Sequence, residues 1–193
     1  AAVAADLADR TALRAAARRA GACFGPPDIL VNAAGVNRRG PILELTDADW
    51  DATIAINLTA PFLLANALAP AMLARGWGRI INIASLQSQR AFPMCAPYGA
   101  SKGGSAQLTR AQAEAFSRDG VTANAIAPGF FATELTAPVA ADPARWQRMA
   151  DRTFAGRNGE LHDLRGTAVY LASRASDYVT GQTIFVDGGF SAG

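Results

Sequence analysis

Short runs of apolar residues alternate with longer segments of helical periodicity along this chain. The apolar runs cover residues 1–5, 28–32, 79–84, 121–127 and 181–189. Helical patterns cover residues 11–22 and 46–75, and a third begins near Tyr98 and closes at Gly120. Short buried strands that are separated by helices are typical of a parallel sheet. The pattern therefore predicts an α/β fold built on parallel strands.

The longest helical pattern needs separate treatment because it is so apolar. Thr46 is suited to cap its first turn, and Gly76 ends it. Residues 54–73 carry no charge, and the stretch is long enough to suggest a membrane span. It is interrupted by Asn57, Thr59, Pro61, Asn66 and Pro70. We therefore predict a buried helix of a globular protein, with no membrane partner.

Composition places the chain among ordinary globular proteins. Its 193 residues are 50% hydrophobic and 18% charged, which suits a single domain over residues 1–193. The net charge of +2 is small and the arginines are scattered, which argues against a nucleic-acid partner. Cys23 and Cys95 form neither a disulfide framework nor a metal-ligand spacing, and no secretory signal precedes the first helix. We expect a cytoplasmic protein without a metal site.

The strongest chemical signal is the pair Tyr98 and Lys102. Four residues apart on a helix, the two side chains lie on one face, so an ammonium can sit beside a phenol. A nearby positive charge lowers the pKa of a phenol, which makes such a tyrosine an acid or base near neutral pH. Ser85 stands thirteen residues before Tyr98, at the end of an apolar run. Its hydroxyl could donate to the oxygen that Tyr98 protonates.

The rarity of lysine in the chain supports this prediction. Lys102 is the only lysine in the chain, whereas arginine occurs seventeen times. A compact ammonium and a planar guanidinium are not equivalent at a specific site. The chain has therefore kept lysine at the one place where the chemistry requires it.

Ser85, Tyr98 and Lys102 together resemble the catalytic set of the short-chain dehydrogenase/reductase family. The resemblance implies a doubly wound, Rossmann-like parallel sheet and hydride transfer between NAD or NADP and an alcohol or carbonyl. It implies that Tyr98 is the general acid/base and that Lys102 holds the nicotinamide ribose and lowers the pKa of Tyr98. Ser85 would position the substrate oxygen. Asn57 matches the asparagine that bends the long helix and holds a proton-relay water.

The same resemblance assigns cofactor contacts along the chain. Asp6 and Leu7 match the pair that meets the adenine ring. Asn32, Ala33 and Gly35 match a strand-end turn, although Ala33 departs from the usual asparagine. Further on, the resemblance implies contacts to the nicotinamide end from Pro128, Gly129, Phe131 and Thr133.

The substrate is less clearly indicated. Residues 133–157, rich in proline and alanine, are broken into short helical pieces where a substrate lid would sit. Gln87, Arg90 and Arg157 are candidate contacts for hydroxyls or a carboxylate. A last long helix is predicted to begin near Glu160, and His162, the only histidine, lies in its first turn and is expected to be solvated. The stretches at 129–136 and 177–182 are most similar to the sugar-acid members of the family, which use gluconate and ketogluconate.

One expected motif is missing. No Gly-x-Gly-x-x-Gly cluster precedes Asp6, so the chain is expected to lack the first two βα units of the fold. Two alternatives stay open: a 3-oxoacyl carrier protein reductase, and a non-catalytic fragment or scaffold that does not bind the cofactor. The family also implies a homo-oligomer, either a tetramer or a dimer.

Overall fold

A computed structural model describes all 193 residues of the chain. Seven α-helices and four strands follow one another, with short 3-10 turns between some of them. The strands are β1 (Ile29–Asn32), β2 (Gly78–Ile83), β3 (Val121–Pro128) and β4 (Thr183–Val186). The helices are α1 (Arg10–Phe24), α2 (Asp47–Ile54), α3 (Ala60–Arg75), α4 (Ala96–Phe116), α5 (Ala137–Ala140), α6 (Pro143–Ala150) and α7 (Arg165–Ala172).

The four strands form one sheet in the order β1-β2-β3-β4, and every pair is parallel. Leu30 lies opposite Ile80, and Ile80 lies opposite Ala123, so apolar residues line up across the sheet. Strand β3 is almost wholly buried, as expected for a central strand covered on both faces. The parallel α/β fold predicted from the alternating pattern is confirmed.

Helices cover both faces of this sheet. On one face, α3 and α4 contribute Ala65, Met72 and Ala113 to a core that also contains Ile80 and Val121. On the other face, Leu171 of α7 packs on a second cluster. Its remaining members lie mainly in the strands and in the segments that flank α7, among them Ile81, Ile126, Leu164, Val179 and Ile184. The doubly wound, Rossmann-like arrangement is therefore confirmed as well.

The long apolar helix is continuous but locally underwound. Between α2 and α3, residues Ala55–Thr59 form a π-helical turn, with Asn57 at its centre. A capping box at Thr46 starts the helix, and Gly76 ends it in the left-handed conformation. From Asp47 to Arg75 it is long and apolar enough to cross a membrane, with a mean hydropathy of 1.5. In this fold it packs against α1, α4 and β2.

Two predicted elements differ from the structure. Residues 1–5 form no strand, because no neighbouring strand lies beside them to accept their hydrogen bonds. The last helical pattern, predicted as one long helix from Glu160, is instead a 3-10 turn at Leu161–Leu164 followed by the eight-residue α7. A helix this short is stabilised by packing on the sheet rather than by its own propensity.

Candidate active site

The carboxyl ends of the four parallel strands meet at one edge of the sheet, and the candidate catalytic residues lie there. Ser85 follows β2 directly and begins a 3-10 turn, where its Oγ accepts from the amide of Gln87 at 3.1 Å. Tyr98 and Lys102 occupy the first two turns of α4, whose second residue, Pro97, is in the first turn, where no amide donor is needed. Crevices at this edge are where open α/β sheets bind ligands.

Tyr98 is buried and its pKa is raised above the usual value of 10.0. Burial is the largest cause, because an apolar environment disfavours the phenolate. The hydroxyl of Ser85 and the charge of Arg39 act in the opposite direction but do not outweigh it. Lys102 is not among the groups that shift this pKa in the ligand-free chain, so the lowering by Lys102 stays a prediction. A phenol that keeps its proton at neutral pH is suited to donate it.

Lys102 is buried beside Tyr98 and has few partners. Its Nζ lies 5.6 Å from the centre of the Tyr98 ring and donates to the backbone oxygen of Ile83 at 2.5 Å. Burial lowers the pKa of Lys102 from 10.5 to about 8. An ammonium has three donors, and this one has a single protein acceptor. The remaining donors are free to bind a ligand.

A cleft of about 830 Å³ opens above these three side chains. Its lining includes Ser85, Tyr98 and Lys102 and several of the residues that were expected to contact a cofactor or substrate. The latter are Ala33, Gly35, Gln87, Pro128, Gly129, Phe131 and Thr133. These residues come from the loops after β1 and β2, from α4, and from the end of β3 and the loop after it. The carboxyl-edge topology therefore collects residues that are up to 100 positions apart in the sequence.

Asn57 lies behind the cleft rather than on its surface, and it is almost completely buried. Its side chain makes paired hydrogen bonds with the backbone of Val36, accepting from the amide at 2.9 Å and donating to the carbonyl at 2.9 Å. It also donates to the hydroxyl of Ser101 at 3.0 Å. The side chain thus joins the loop after β1 to helix α4.

Three residues assigned to cofactor binding are placed away from the cleft. Asp6 accepts from the amide of Ala8 at 2.9 Å, and Leu7 packs against the apolar cluster beneath α1. Asn32 is buried in the sheet, where its side-chain amide donates to Asn82 at 2.8 Å.

The two arginines predicted to contact the substrate, Arg90 and Arg157, do not line the cleft and bind other parts of the protein. Arg90 donates to the backbone oxygen of Ser191 at 2.9 Å, near the end of the chain. Arg157 forms a bidentate ion pair with Asp163 at 2.7 and 3.0 Å, which holds the pKa of that carboxyl far below its usual range. Gln87 does line the cleft, and its buried Oε1 has no hydrogen-bond partner. His162 is exposed, as expected.

The sequence analysis missed two cationic residues of the cleft. Arg38 and Arg39 lie in its lining and are exposed to solvent. The charge of Arg39 acts to lower the pKa of Tyr98, and both residues line the same cleft. The sequence did contain a signal, since the two arginines lie three and four residues after Gly35, close to the turn at the end of β1. Apolar lining residues from distant segments, such as Phe92, Leu135, Leu161 and Leu164, carried no such signal.

The residues present fit the nicotinamide and ribose half of a dinucleotide. Lys102 offers unpaired donors that match ribose hydroxyls. Gly35 leaves the backbone open beside them, because a Cβ there would lie 3.5 Å from Asn57 Oδ1 and 3.8 Å from Lys102 Nζ. A glycine-rich turn for the pyrophosphate is not among these 193 residues. The chain thus contains the reacting end of such a site.

Comparison with known proteins places this geometry in a family. A short-chain dehydrogenase family model, described as enoyl-(acyl carrier protein) reductase, matches residues 1–191. The chain belongs to the short-chain dehydrogenase/reductase family. It is 45% identical to the gluconate 5-dehydrogenase of Gluconobacter oxydans over 168 residues, covering 87% of this chain and 66% of that protein. It is 43% identical to the 5-keto-D-gluconate 5-reductase of Escherichia coli strain K12 over 166 residues, covering 86% and 65%.

Solved structures agree with this membership. A gluconate 5-dehydrogenase from Burkholderia cenocepacia, crystallised with NADP and tartrate, superposes with a TM-score of 0.95 at 44% identity. The match covers 99% of this chain and 75% of that one. The chain spans about two thirds of the length of the curated short-chain dehydrogenases named above.

Proposed function

We propose that this short-chain dehydrogenase is an oxidoreductase that interconverts an alcohol and a carbonyl of a sugar acid, with gluconate and ketogluconate as the substrate pair. The observation that carries the proposal is that Tyr98, Ser85 and Lys102 line one cleft, with Lys102 Nζ 5.6 Å from the centre of the Tyr98 ring. When bound, NADP or NAD supplies or accepts the hydride. The relatives named above act on the same class of compound, which supports this choice.

Each catalytic side chain has one role in this proposal. Tyr98 donates its phenolic proton to the substrate oxygen during reduction and removes it during oxidation. Ser85 donates a hydrogen bond to the same oxygen, which fixes the carbonyl beside Tyr98. Lys102 holds the ribose hydroxyls, and its positive charge stabilises the phenolate that forms when Tyr98 gives up its proton. Asn57 acts from behind the cleft, through the backbone of Val36 that it holds, and would carry a proton-relay water.

Arg39 is the proposed anchor for the substrate carboxylate. Its guanidinium is exposed at the cleft and close enough to influence Tyr98. Arginine binds carboxylates with two parallel hydrogen bonds, which orients as well as attracts them. Gln87, whose Oε1 lacks a partner, is proposed to bind a substrate hydroxyl.

The proposal also includes the other roles that the family resemblance implies. Pro128, Gly129, Phe131 and Thr133 would contact the nicotinamide end, with Ala33 and Gly35 nearby. Residues 133–157 would form the substrate lid, since Thr133, Glu134 and Leu135 already line the cleft. Asp6 and Leu7 would meet the adenine, and Asn32 would support the turn at the end of β1. We also propose a cytoplasmic homo-oligomer, either a tetramer or a dimer.

The direct test measures cofactor binding and turnover on one sample of the purified chain. We expect nicotinamide fluorescence to report binding of NADPH or NADH, and 5-keto-D-gluconate to be reduced faster than a 3-oxoacyl thioester. Preference for the thioester would favour a 3-oxoacyl carrier protein reductase. Absence of cofactor binding would favour the non-catalytic scaffold and would contradict the proposal for this chain.

Tyr98→Phe separates chemistry from binding. The variant loses only the phenolic hydroxyl, so we expect kcat to fall by about 10²–10⁴-fold while the dissociation constant of NADPH stays within about twofold. Steady-state kinetics and fluorescence titration give the two values. A kcat close to that of the unmodified protein would remove Tyr98 from the mechanism.

Arg39→Gln tests the proposed carboxylate anchor. We expect KM for 5-keto-D-gluconate to rise at least about tenfold, which corresponds to the loss of roughly 1.4 kcal/mol of binding. The control substrate is a neutral keto sugar without a carboxylate, for which KM should stay unchanged. An equal effect on both substrates would show that Arg39 does not read the carboxylate.

A further inference from the structure

One buried face of α4 carries a row of polar side chains that the proposed chemistry does not use. Ser101, Ser105, Thr109 and Gln112 follow one another at helical spacing, and each is at most 5% exposed. Most of their hydroxyls bond to the helix itself or to nearby backbone. Three of them also accept a side-chain hydrogen bond from outside the helix: Thr109 and Gln112 from Asn82 in β2, and Ser101 from Asn57. Ser101 is the member of the row next to Lys102.

Ser101 connects two segments of the site. Its hydroxyl donates to the backbone oxygen of Tyr98 at 2.7 Å and accepts from Asn57 Nδ2 at 3.0 Å. A hydroxyl can donate and accept at once, and at a fully buried position either partner would otherwise lose a hydrogen bond. Ser101 therefore ties the turn of α4 that contains Tyr98 to the π-helical turn that contains Asn57.

Asn57 connects Ser101 to the loop after β1, which lines the cleft. Two of its three side-chain hydrogen bonds hold the backbone of Val36, the residue after Gly35. Gly35 lies between Asn57 and Lys102, since a Cβ at Gly35 would be 3.8 Å from Lys102 Nζ. The loop after β1 is thus held against Lys102 from one side by Asn57. The amide plane of Asn57 is oriented by Ser101.

We propose that Ser101 is a positioning residue, which acts through Asn57 to hold the Gly35–Val36 segment against Lys102. Its value for catalysis rests on the proposed function, in which Lys102 binds the ribose. The positioning itself does not, because it is a property of the chain without a ligand. Loss of the hydroxyl leaves Asn57 with only the Val36 contacts, so the loop loosens and water reaches Lys102.

The test uses the fact that Lys102 is the only lysine. Lysine labelled with ¹³C at Cε gives one side-chain NMR signal, whose pH titration reports the pKa of Lys102 without any cofactor. In Ser101→Ala we expect this pKa to move up from about 8, by about half a unit or more, because burial lowers it and the burial is relieved. We also expect the Val36 amide to exchange with deuterium at least about tenfold faster.

The matched control is Ser176→Ala. Ser176 is also fully buried, and its hydroxyl bonds to the backbone oxygens of Leu171 and Ser173, close to α7 and without contact to the cleft. This variant should leave both readouts unchanged. Ser101→Cys keeps the size of the side chain with a weaker donor, so it should give intermediate values.

The outcomes discriminate the proposal from its alternatives. Faster Val36 exchange together with a raised Lys102 pKa, in Ser101→Ala and to a lesser degree in Ser101→Cys, supports it. Values equal to those of the unmodified chain overturn it, even if turnover falls. If Ser101→Ala does not fold, Ser101→Cys decides on the same two measurements. A failure of the proposed function would appear instead as absent NADPH binding with both readouts shifted as expected.

Discussion

Two buried cations at opposite ends of the same strand have opposite surroundings. Arg79 lies at the amino end of β2 and is 1% exposed, while Lys102 lies at the carboxyl end and is 4% exposed. Arg79 donates to the backbone oxygens of Gly78 at 3.0 Å and Ser173 at 3.1 and 3.2 Å, and it pairs with Asp177. Lys102 has one backbone acceptor and no carboxylate.

The difference separates a cation whose hydrogen bonds are made by the protein from one that has donors left for a ligand. The guanidinium of Arg79 also lies over the Trp77 ring at 4.5 Å, so every side of the group is satisfied by protein. A buried charge with such partners holds elements together, here the amino end of β2 and the end of α7. A buried charge with one partner remains destabilised until a ligand completes its hydrogen bonds. Burial alone therefore does not identify a functional cation, whereas unused donors do.

Replacing Lys102 by Met tests the buried cation at the carboxyl end of β2 and should have the largest effect. We expect kcat for ketogluconate reduction to fall about 10³-fold, because the charge that stabilises the Tyr98 phenolate is removed. The free energy of unfolding at pH 7 should not decrease, since a buried charge without a carboxylate partner is lost. Kinetics and urea denaturation give the two values. A clear loss of stability would make Lys102 a structural cation like Arg79.

Replacing Arg79 by Met tests the buried cation at the amino end of β2. We expect the free energy of unfolding to fall by about 3 kcal/mol, because buried carbonyl oxygens of Gly78 and Ser173 lose their donors. Asp177 is half-exposed and adds little to this value. Turnover per folded molecule should stay unchanged.

The control for Arg79 is Arg174→Met. Arg174 faces the same carboxylate at 3.8 Å but is 78% exposed. Its loss should cost less than about 0.5 kcal/mol in urea denaturation. Equal destabilisation by the two variants would mean that the ion pair, and not the buried backbone contacts, gives Arg79 its role.

The pH dependence of stability should show the smallest effect. Lys102 loses its proton near pH 8 in the folded chain and near 10.5 when unfolded. Between these values the unfolded state binds more protons, so the free energy of unfolding contributed by this group rises with pH. From pH 8 to 9.5 the gain is about 1.5 kcal/mol. The raised pKa of Tyr98 acts in the opposite direction only above about pH 10.

Lys102→Met provides the reference for this measurement. Urea denaturation of the variant at pH 8 and 9.5 should show no such gain. If the rise persists without Lys102, another group produces it, and the lowered pKa of Lys102 is wrong. The Arg79→Met variant should keep the rise, since an arginine does not titrate in this range.

Local patterns in the sequence determined the elements that depend on short-range interactions. The parallel strands, the long helix with its Thr46 cap and Gly76 end, and the spacing of Ser85, Tyr98 and Lys102 were all predicted from neighbouring residues. Helix caps, glycine turns and hydrophobic periodicity act within a few positions, so a sequence shows them directly. Residues 1–5 have the apolar pattern of a strand but form none in the structure, because a strand also needs a neighbour to accept its hydrogen bonds.

Tertiary structure decided which side chains share one environment. Arg39 and Phe92 reach the cleft although nothing joins them in sequence, whereas Arg90 is turned towards the end of the chain. The sequence by itself determined that one lysine stands one helical turn from one tyrosine. Only the fold decided that this lysine has a single acceptor and that burial raises the pKa of the phenol. Desolvation and hydrogen-bond satisfaction depend on atoms from every packed element, and these meet only when the sheet has formed.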